Sequence, residues 1–253
     1  MELDQLSEVE RLLAESVLRQ PAPGKHAARS AISHIQKAYL IKDIDPSMAL
    51  FRAITGQEEA ARAIFHALQR RRYLHASKLK WRDHKHKAAV IPFLMAVVES
   101  IEQIEFVKAE LEFVDVNGEY RLRSKIEWQL PNGRVKTIIP DPPLDVRMEV
   151  QGEEYDFFLD IETVVAKNNY ANVKKYIHDL ANERNRLLYA TERGVPFISS
   201  SIDADLAKKR ENVFVMIAVY LLIDCYPTQQ LLVSQSLRAF LKMIGELSST
   251  DES

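Results

Sequence analysis

Over the first hundred residues, apolar positions recur at the spacing of helices. Leu6, Val9, Leu13 and Val17 form one stripe of a first helix spanning residues 1–20. The run QPAPGK (20–25) ends it, because proline and glycine disfavour helix continuation. A second helix is predicted from Ala27 to Ile41. Asp45-Pro46 opens a third, with Asp45 placed to cap free N–H groups and Pro46 suited to the first helical position; it continues to Arg72. A fourth runs from Ser77 to Glu102, with a bend at Pro92.

The period then changes to 2. Tyr120, Leu122, Ile126, Trp128 and Leu130 alternate with Arg121, Arg123, Lys125, Glu127 and Gln129, the pattern of a half-buried strand. Asn117-Gly118 and Asn132-Gly133 flank it, and Asn-Gly readily takes the positive φ angles of tight hairpins. Val146, Met148 and Val150 alternate in a further strand. Gln151-Gly152 turns the chain into another at Tyr155, Phe157, Leu159 and Ile161. PDPP (140–143) must be a loop, since proline cannot donate to a central ladder. The region 104–166 thus reads as an antiparallel meander of about five strands. Helical periodicity resumes at Tyr170 and runs to Thr191. Ser199–Ile202 is a loop, Asp203 opens another helix, Pro227 opens the last, and the tail SSTDES is expected to be disordered. The predicted class is α+β: a helical bundle contributed by residues 1–103 and 167–253, with the meander inserted.

Composition narrows the chemistry. Hydrophobic residues make up 47% of the 253 and charged residues 28%, an ordinary globular mixture. The net charge of -2 gives no global attraction to nucleic acid, so any such binding needs a local basic patch. Cys225 is the single cysteine, which excludes an intramolecular disulfide and a cysteine-based zinc site; it reads as a buried thiol. The N-terminus is acidic and amphipathic, unlike a signal peptide. The most apolar run, Val213–Ile223, is shorter than the about 20 residues that span a bilayer and reads as a buried helix. A cytoplasmic location without membrane contact is expected, and no cofactor is implied.

Three helices place an ionisable residue on an apolar seam. Glu58 flanks the stripe Phe51, Ile54, Ala61, Phe65 and Leu68. His84 stands in the seam Trp81, Ala88, Ile91, Met95 and Val98, and Arg184 in the seam Val173, Ile177, Leu180 and Leu187. A buried unpaired charge costs several kcal/mol, so these three either neutralise one another or line a shared polar cleft.

At these helices the sequence resembles the HEPN superfamily, in particular its abortive-infection-like branches. The resemblance is carried by ALFRAITGQEEAARAIFHAL (49–68), WRDHKHK (81–87) and ANERNRLLYA (181–190). It implies a helical domain that binds RNA, or cleaves it without a metal, in a toxin or phage-defence setting, and that commonly pairs as a homodimer. Arg184-Asn185 matches the start of the family motif, and Tyr189 stands where its histidine would be. The resemblance would have Arg184 stabilise the charged phosphorane and Asn185 position the phosphate, with His84 supplying an imidazole in space.

Two other constellations compete. Asp156, Asp160 and Glu162 would share a face of the last strand, with Asp141 in the preceding loop, a pattern similar to PD-(D/E)xK metal nucleases. The lysine that the pattern requires is absent, as Val164 follows Glu162 by two, and the alternative is a solvated sheet face. Arg70, Arg71 and Arg72 with Tyr73, followed by Lys78, Lys80, Trp81 and Arg82, form a basic cluster with interleaved aromatics that could hold phosphates. Arg121, Arg123 and Lys125 form a second basic stripe. A non-catalytic module docking a partner protein is the other reading. A homodimer through the C-terminal helices would use the apolar residues Phe214, Ile217, Tyr220, Leu221, Leu231, Leu232, Leu237, Phe240 and Leu241.

Overall fold

A computed structural model describes residues 6–104, 107–130, 132–147, 149–150, 152–167, 173–189 and 201–247. The described chain is α+β. It begins with helices α1 (Glu8–Leu18), α2 (Gly24–Ile41), α3 (Pro46–Arg70), α4 (His84–Ala88) and α5 (Val90–Glu102). Strands β1 (Val107–Val116), β2 (Glu119–Gln129), β3 (Val135–Ile138), β4 (Glu149–Val150) and β5 (Glu153–Glu154) follow. Helices α6 (Phe157–Lys167), α7 (Val173–Leu188), α8 (Ile202–Asp224) and α9 (Leu231–Met243) complete it. The chain divides into two compact units. The first gathers residues 1–67, 80–89 and 175–221, and the second 68–79, 90–174 and 222–253.

The first unit is helical. Ser7 caps α1 through a reciprocal box with Glu10, and Asp45 accepts from the Met48 N–H at 3.0 Å to cap α3. Helices α2 and α3 meet at small residues: a Cβ on Gly56 would lie 3.1 Å from the Ala31 carbonyl oxygen and 3.4 Å from Cβ of His34. Ala49, Ala53, Ala60, Ala61 and Ala63 are buried along α3, so neighbouring backbones can approach it closely. Gly24 lies against the ring of Tyr220 on α8.

The second unit contains the sheet. β1, β2 and β3 form one antiparallel sheet, with Phe113 opposite Leu122 and Ile126 opposite Ile138. Asn117 and Gly118 both take positive φ in the β1–β2 turn, as the Asn-Gly pair predicts. The expected five-strand meander is corrected. The sheet has three strands, and β4 and β5 pair separately with two residues each. The expected strand at Tyr155–Ile161 is instead α6. Its buried residues are Phe157, Phe158, Ile161 and Val164, which fit a helical face, and the adjacent Phe157-Phe158 breaks a period of 2. α6 packs between α5 and α9, where Phe93 meets Phe240 edge-on at 5.2 Å and Lys242 pairs with Glu162 at 2.7 Å. PDPP is a loop, anchored beyond its end: buried Gln230 accepts from the Leu144 N–H at 2.7 Å, and Asp145 accepts from the Leu231 N–H at 3.0 Å.

Other boundaries also shift. The expected helix Ser77–Glu102 is a 3-10 turn (Ala76–Lys78), α4 and α5. α4 stops at Ala88, the residue four before Pro92, whose ring crowds that carbonyl. The expected seam through Met95 and Val98 faces outward, with these residues 56% and 48% exposed, while Val90, Phe93, Ala96 and Ser100 are buried. α9 begins at Leu231 rather than at Pro227. Cys225 is exposed rather than buried, because α8 ends one residue before it. Among the C-terminal apolar residues expected to form a dimer face, Phe214, Ile217, Tyr220, Leu221, Leu232, Leu237, Phe240 and Leu241 are buried within the chain. Residues 168–172, 190–200 and the tail from 248 lie outside the described residues, as does the expected helix start at Tyr170.

Candidate functional site

In the first unit, α3 carries Glu58 among the buried residues Ile54, Ala61 and Phe65, and the carboxylate is buried. α4 supplies its partners. Asp83 caps that helix by accepting from the Lys85 N–H at 2.7 Å, which fixes its start. His84 and Lys87, three apart, share one side of it. Nδ1 of His84 stands 2.8 Å from Oε1 of Glu58, and Nζ of Lys87 donates to Oε2 at 2.9 Å. A carboxylate only accepts, so Nδ1 carries a proton and Nε2 is the ring nitrogen turned away from Glu58. The side chains of Glu58 and Lys87 are each 8% exposed, against 48% for His84. One buried carboxylate therefore orients an accessible imidazole, and a buried ammonium holds the carboxylate. An imidazole so held is oriented for proton transfer with a bound hydroxyl. Beside it, His86 is buried and its Nδ1 accepts from the Lys80 N–H at 3.2 Å, which ties the 80–83 turn to α4.

One turn beyond Glu58, Arg62 belongs to a second polar group. Its guanidinium carbon lies 4.6 Å from the centroid of Trp81, and that of Arg82 lies 4.4 Å from the same ring. Arg62 also donates from Nε to His66 at 3.3 Å and meets Glu59 at 3.5 Å. Burial, then the charge of Arg62, holds His66 below its ordinary basicity, against the pull of Glu59. His34 on α2 is likewise depressed, first by burial and then by Arg52, and its Nδ1 is buried with no hydrogen-bond partner among the described residues.

The structure thus brings Glu58 and His84 together, with Lys87 as the third member. Lys87 was not singled out in the sequence, although its spacing from His84 places it on the same side of a helix. Arg184 lies on α7, and its side chain is outside the described residues. Asn185 and Tyr189 are exposed one turn apart at the end of α7, in the same unit as Glu58 and His84.

The expected basic cluster divides. Lys80 and Arg82 are exposed in the first unit. In the second, Arg70 donates to Oδ1 of Asp224 at 2.6 and 2.9 Å and to its carbonyl oxygen at 2.9 Å; Arg71 donates to the same carbonyl. Asp224 is 1% exposed, so these two arginines close the C-terminal end of α8 and neutralise a buried acid. In the sequence, the acid that ends the apolar run VFVMIAVYLLID is the sign of such a buried charge. The Arg72 carbonyl accepts from Gln229, and Lys78 sits in the 3-10 turn. On the sheet, Arg123 pairs with Glu112 at 2.7 Å and Lys125 with Glu127 at 2.5 Å, so that basic stripe alternates with carboxylates.

The alternative metal set also needs correction. Asp160 and Glu162 lie on a helix, not a strand. Asp160 accepts from the Tyr155 hydroxyl, while Glu162 pairs with Lys242. Burial and Asp160 push that hydroxyl up to about 12. Among the described residues, Asp141, Asp160 and Glu162 do not gather as a metal-holding group.

Compared with models of protein families, with curated proteins and with solved structures, the chain matches none. Among the described residues no helix is long and apolar enough to cross a membrane.

Proposed function

We propose that this protein binds RNA and cleaves it without a metal ion, at the Glu58–His84 pair of the first unit. The observation that carries the reading is the accessible imidazole held at Nδ1 by a buried carboxylate, 2.8 Å away. RNA carries its own nucleophile. In this reading Nε2 of His84 takes the 2′-hydroxyl proton, the 2′-oxygen bonds to phosphorus, and the bond from phosphorus to the 5′-oxygen breaks. That oxygen takes a proton from solvent. The products are a 2′,3′-cyclic phosphate and a 5′-hydroxyl. The resemblance assigns Arg184 to the phosphorane and Asn185 to the phosphate. The setting that it implies is a cytoplasmic toxin or phage-defence protein that pairs as a homodimer.

The test is cleavage of a short RNA and of the same DNA sequence, with and without EDTA, followed by end analysis. RNA cut to cyclic-phosphate ends in EDTA, DNA left intact, and a loss of about 10²–10⁴-fold in His84→Ala is the expected result. Cleavage abolished by EDTA and restored by Mg²⁺, or equal cleavage of DNA, overturns it. RNA bound but not cut leaves only the binding half. Neither binding nor cutting points to a module that docks a protein partner.

A further inference from the structure

We infer that Arg82, held against Trp81, is a phosphate-binding residue for single-stranded RNA beside the Glu58–His84 pair; this rests on reading that pair as an RNA site. Arg82 is exposed, and its guanidinium has no hydrogen-bond acceptor among the described residues; it lies over the indole of Trp81 at 4.4 Å. Arg62, at 4.6 Å from the same ring, is engaged by His66 and Glu59. Of the two cations on Trp81, one is therefore tied into the fold and the other keeps its donors available. A guanidinium stacked on an aromatic ring loses little entropy when its fork meets a phosphate. Its remaining face can stack on an unpaired base, which favours single strands.

The surroundings carry the right charge. In the segment KWRDHK (80–85), Lys80, Arg82 and Lys85 are exposed. The only acid there, Asp83, is occupied in capping α4. This concentrates positive charge locally on a chain whose net charge is -2, which suits a polyanion rather than a general electrostatic attraction. Arg82 precedes His84 by two residues and Arg62 follows Glu58 by one helical turn, so phosphate binding and proton transfer would act on the same stretch of ligand.

The probe is a fluorescein-labelled oligouridylate, with anisotropy followed over a range of KCl concentrations. Arg82→Ala should weaken binding about tenfold and reduce the slope of log K against log salt by about 0.7, one phosphate contact on a single strand. Arg82→Lys, which keeps the charge, should retain the slope. The chain has two tryptophans, so in a Trp128→Phe background Trp81 is the sole indole. RNA should change its emission there, and Arg82→Ala should shrink that change. If Arg82→Ala binds as tightly as the parent with an unchanged salt slope, this inference falls while the RNA reading stands. If the parent itself does not bind oligouridylate at low salt, both fall.

Discussion

Lys87→Met is expected to destabilise the protein by about 3–5 kcal/mol, because it strips a buried carboxylate of its buried partner. The double variant Glu58→Leu with Lys87→Met should recover most of that loss, since it replaces a buried ion pair with apolar volume. Urea midpoints of the three proteins decide; a single variant as stable as the parent would mean that the pair is solvated. His84 is half-exposed and its removal leaves Glu58 the Lys87 ammonium, so it should lower the midpoint less than Lys87→Met does. Two other histidines make a separate prediction. His34 and His66 are harder to protonate in the folded chain than at their ordinary 6.5, through burial first and then Arg52 and Arg62 respectively. Below that value the unfolded chain binds more protons, so their contribution is present above about pH 6.5 and is lost as pH falls through the folded values. The urea midpoint should drop between neutrality and acid, and His34→Gln with His66→Gln should flatten the drop. A slope unchanged in the double variant would assign it to the carboxylates.

Among the described glycines, Gly24 has the least room, where α2 begins against α8. A Cβ on Gly24 would meet the Tyr220 ring at 2.8 Å, and Tyr220 is fully buried. Gly24→Ala should therefore cost about 1–3 kcal/mol by overpacking, despite alanine's better helix propensity. A thermal melt equal to the parent's would show that the ring moves aside. The helices with clear stop signals were legible in the chain: α3 starts where Asp45-Pro46 predicts, and α1 ends before the proline-rich run. Short apolar runs were not. In DFFLDIETVVAK, Phe157, Leu159 and Ile161 read as a strand only if Phe158 is ignored, whereas Phe157, Phe158, Ile161 and Val164 share the helical face that packs between α5 and α9. The α4–α5 break shows the opposite case, in which Pro92 marked a real discontinuity whose place lay one turn earlier.

For the whole molecule, the proposed homodimer needs a surface other than the buried C-terminal residues. α5 offers one. It is apolar on both sides, and Met95 and Val98 are exposed one turn apart on its outer side. Light scattering is expected to give twice the 29.1 kDa chain mass, and Met95→Glu with Val98→Glu to return it to one chain. A parent that stays at one chain mass into the high-micromolar range ends the dimer reading.

Sequence alone determined that this is a mostly helical α+β protein with an inserted antiparallel sheet, because amphipathic periods of 3.6 and 2 are properties of contiguous residues. It also marked Glu58 and His84 as charged groups in apolar seams, where burial demands a partner. Which partner was a tertiary matter. Lys87 reaches Glu58 only because α3 and α4 pack together, and Arg70 and Arg71 serve the end of α8 only because residues 154 and 153 positions away return to meet them. Charge pairing between distant segments leaves no periodic trace in the chain, so the same arginines read equally well as a free basic patch or as a helix cap until the fold brings Asp224 beside them.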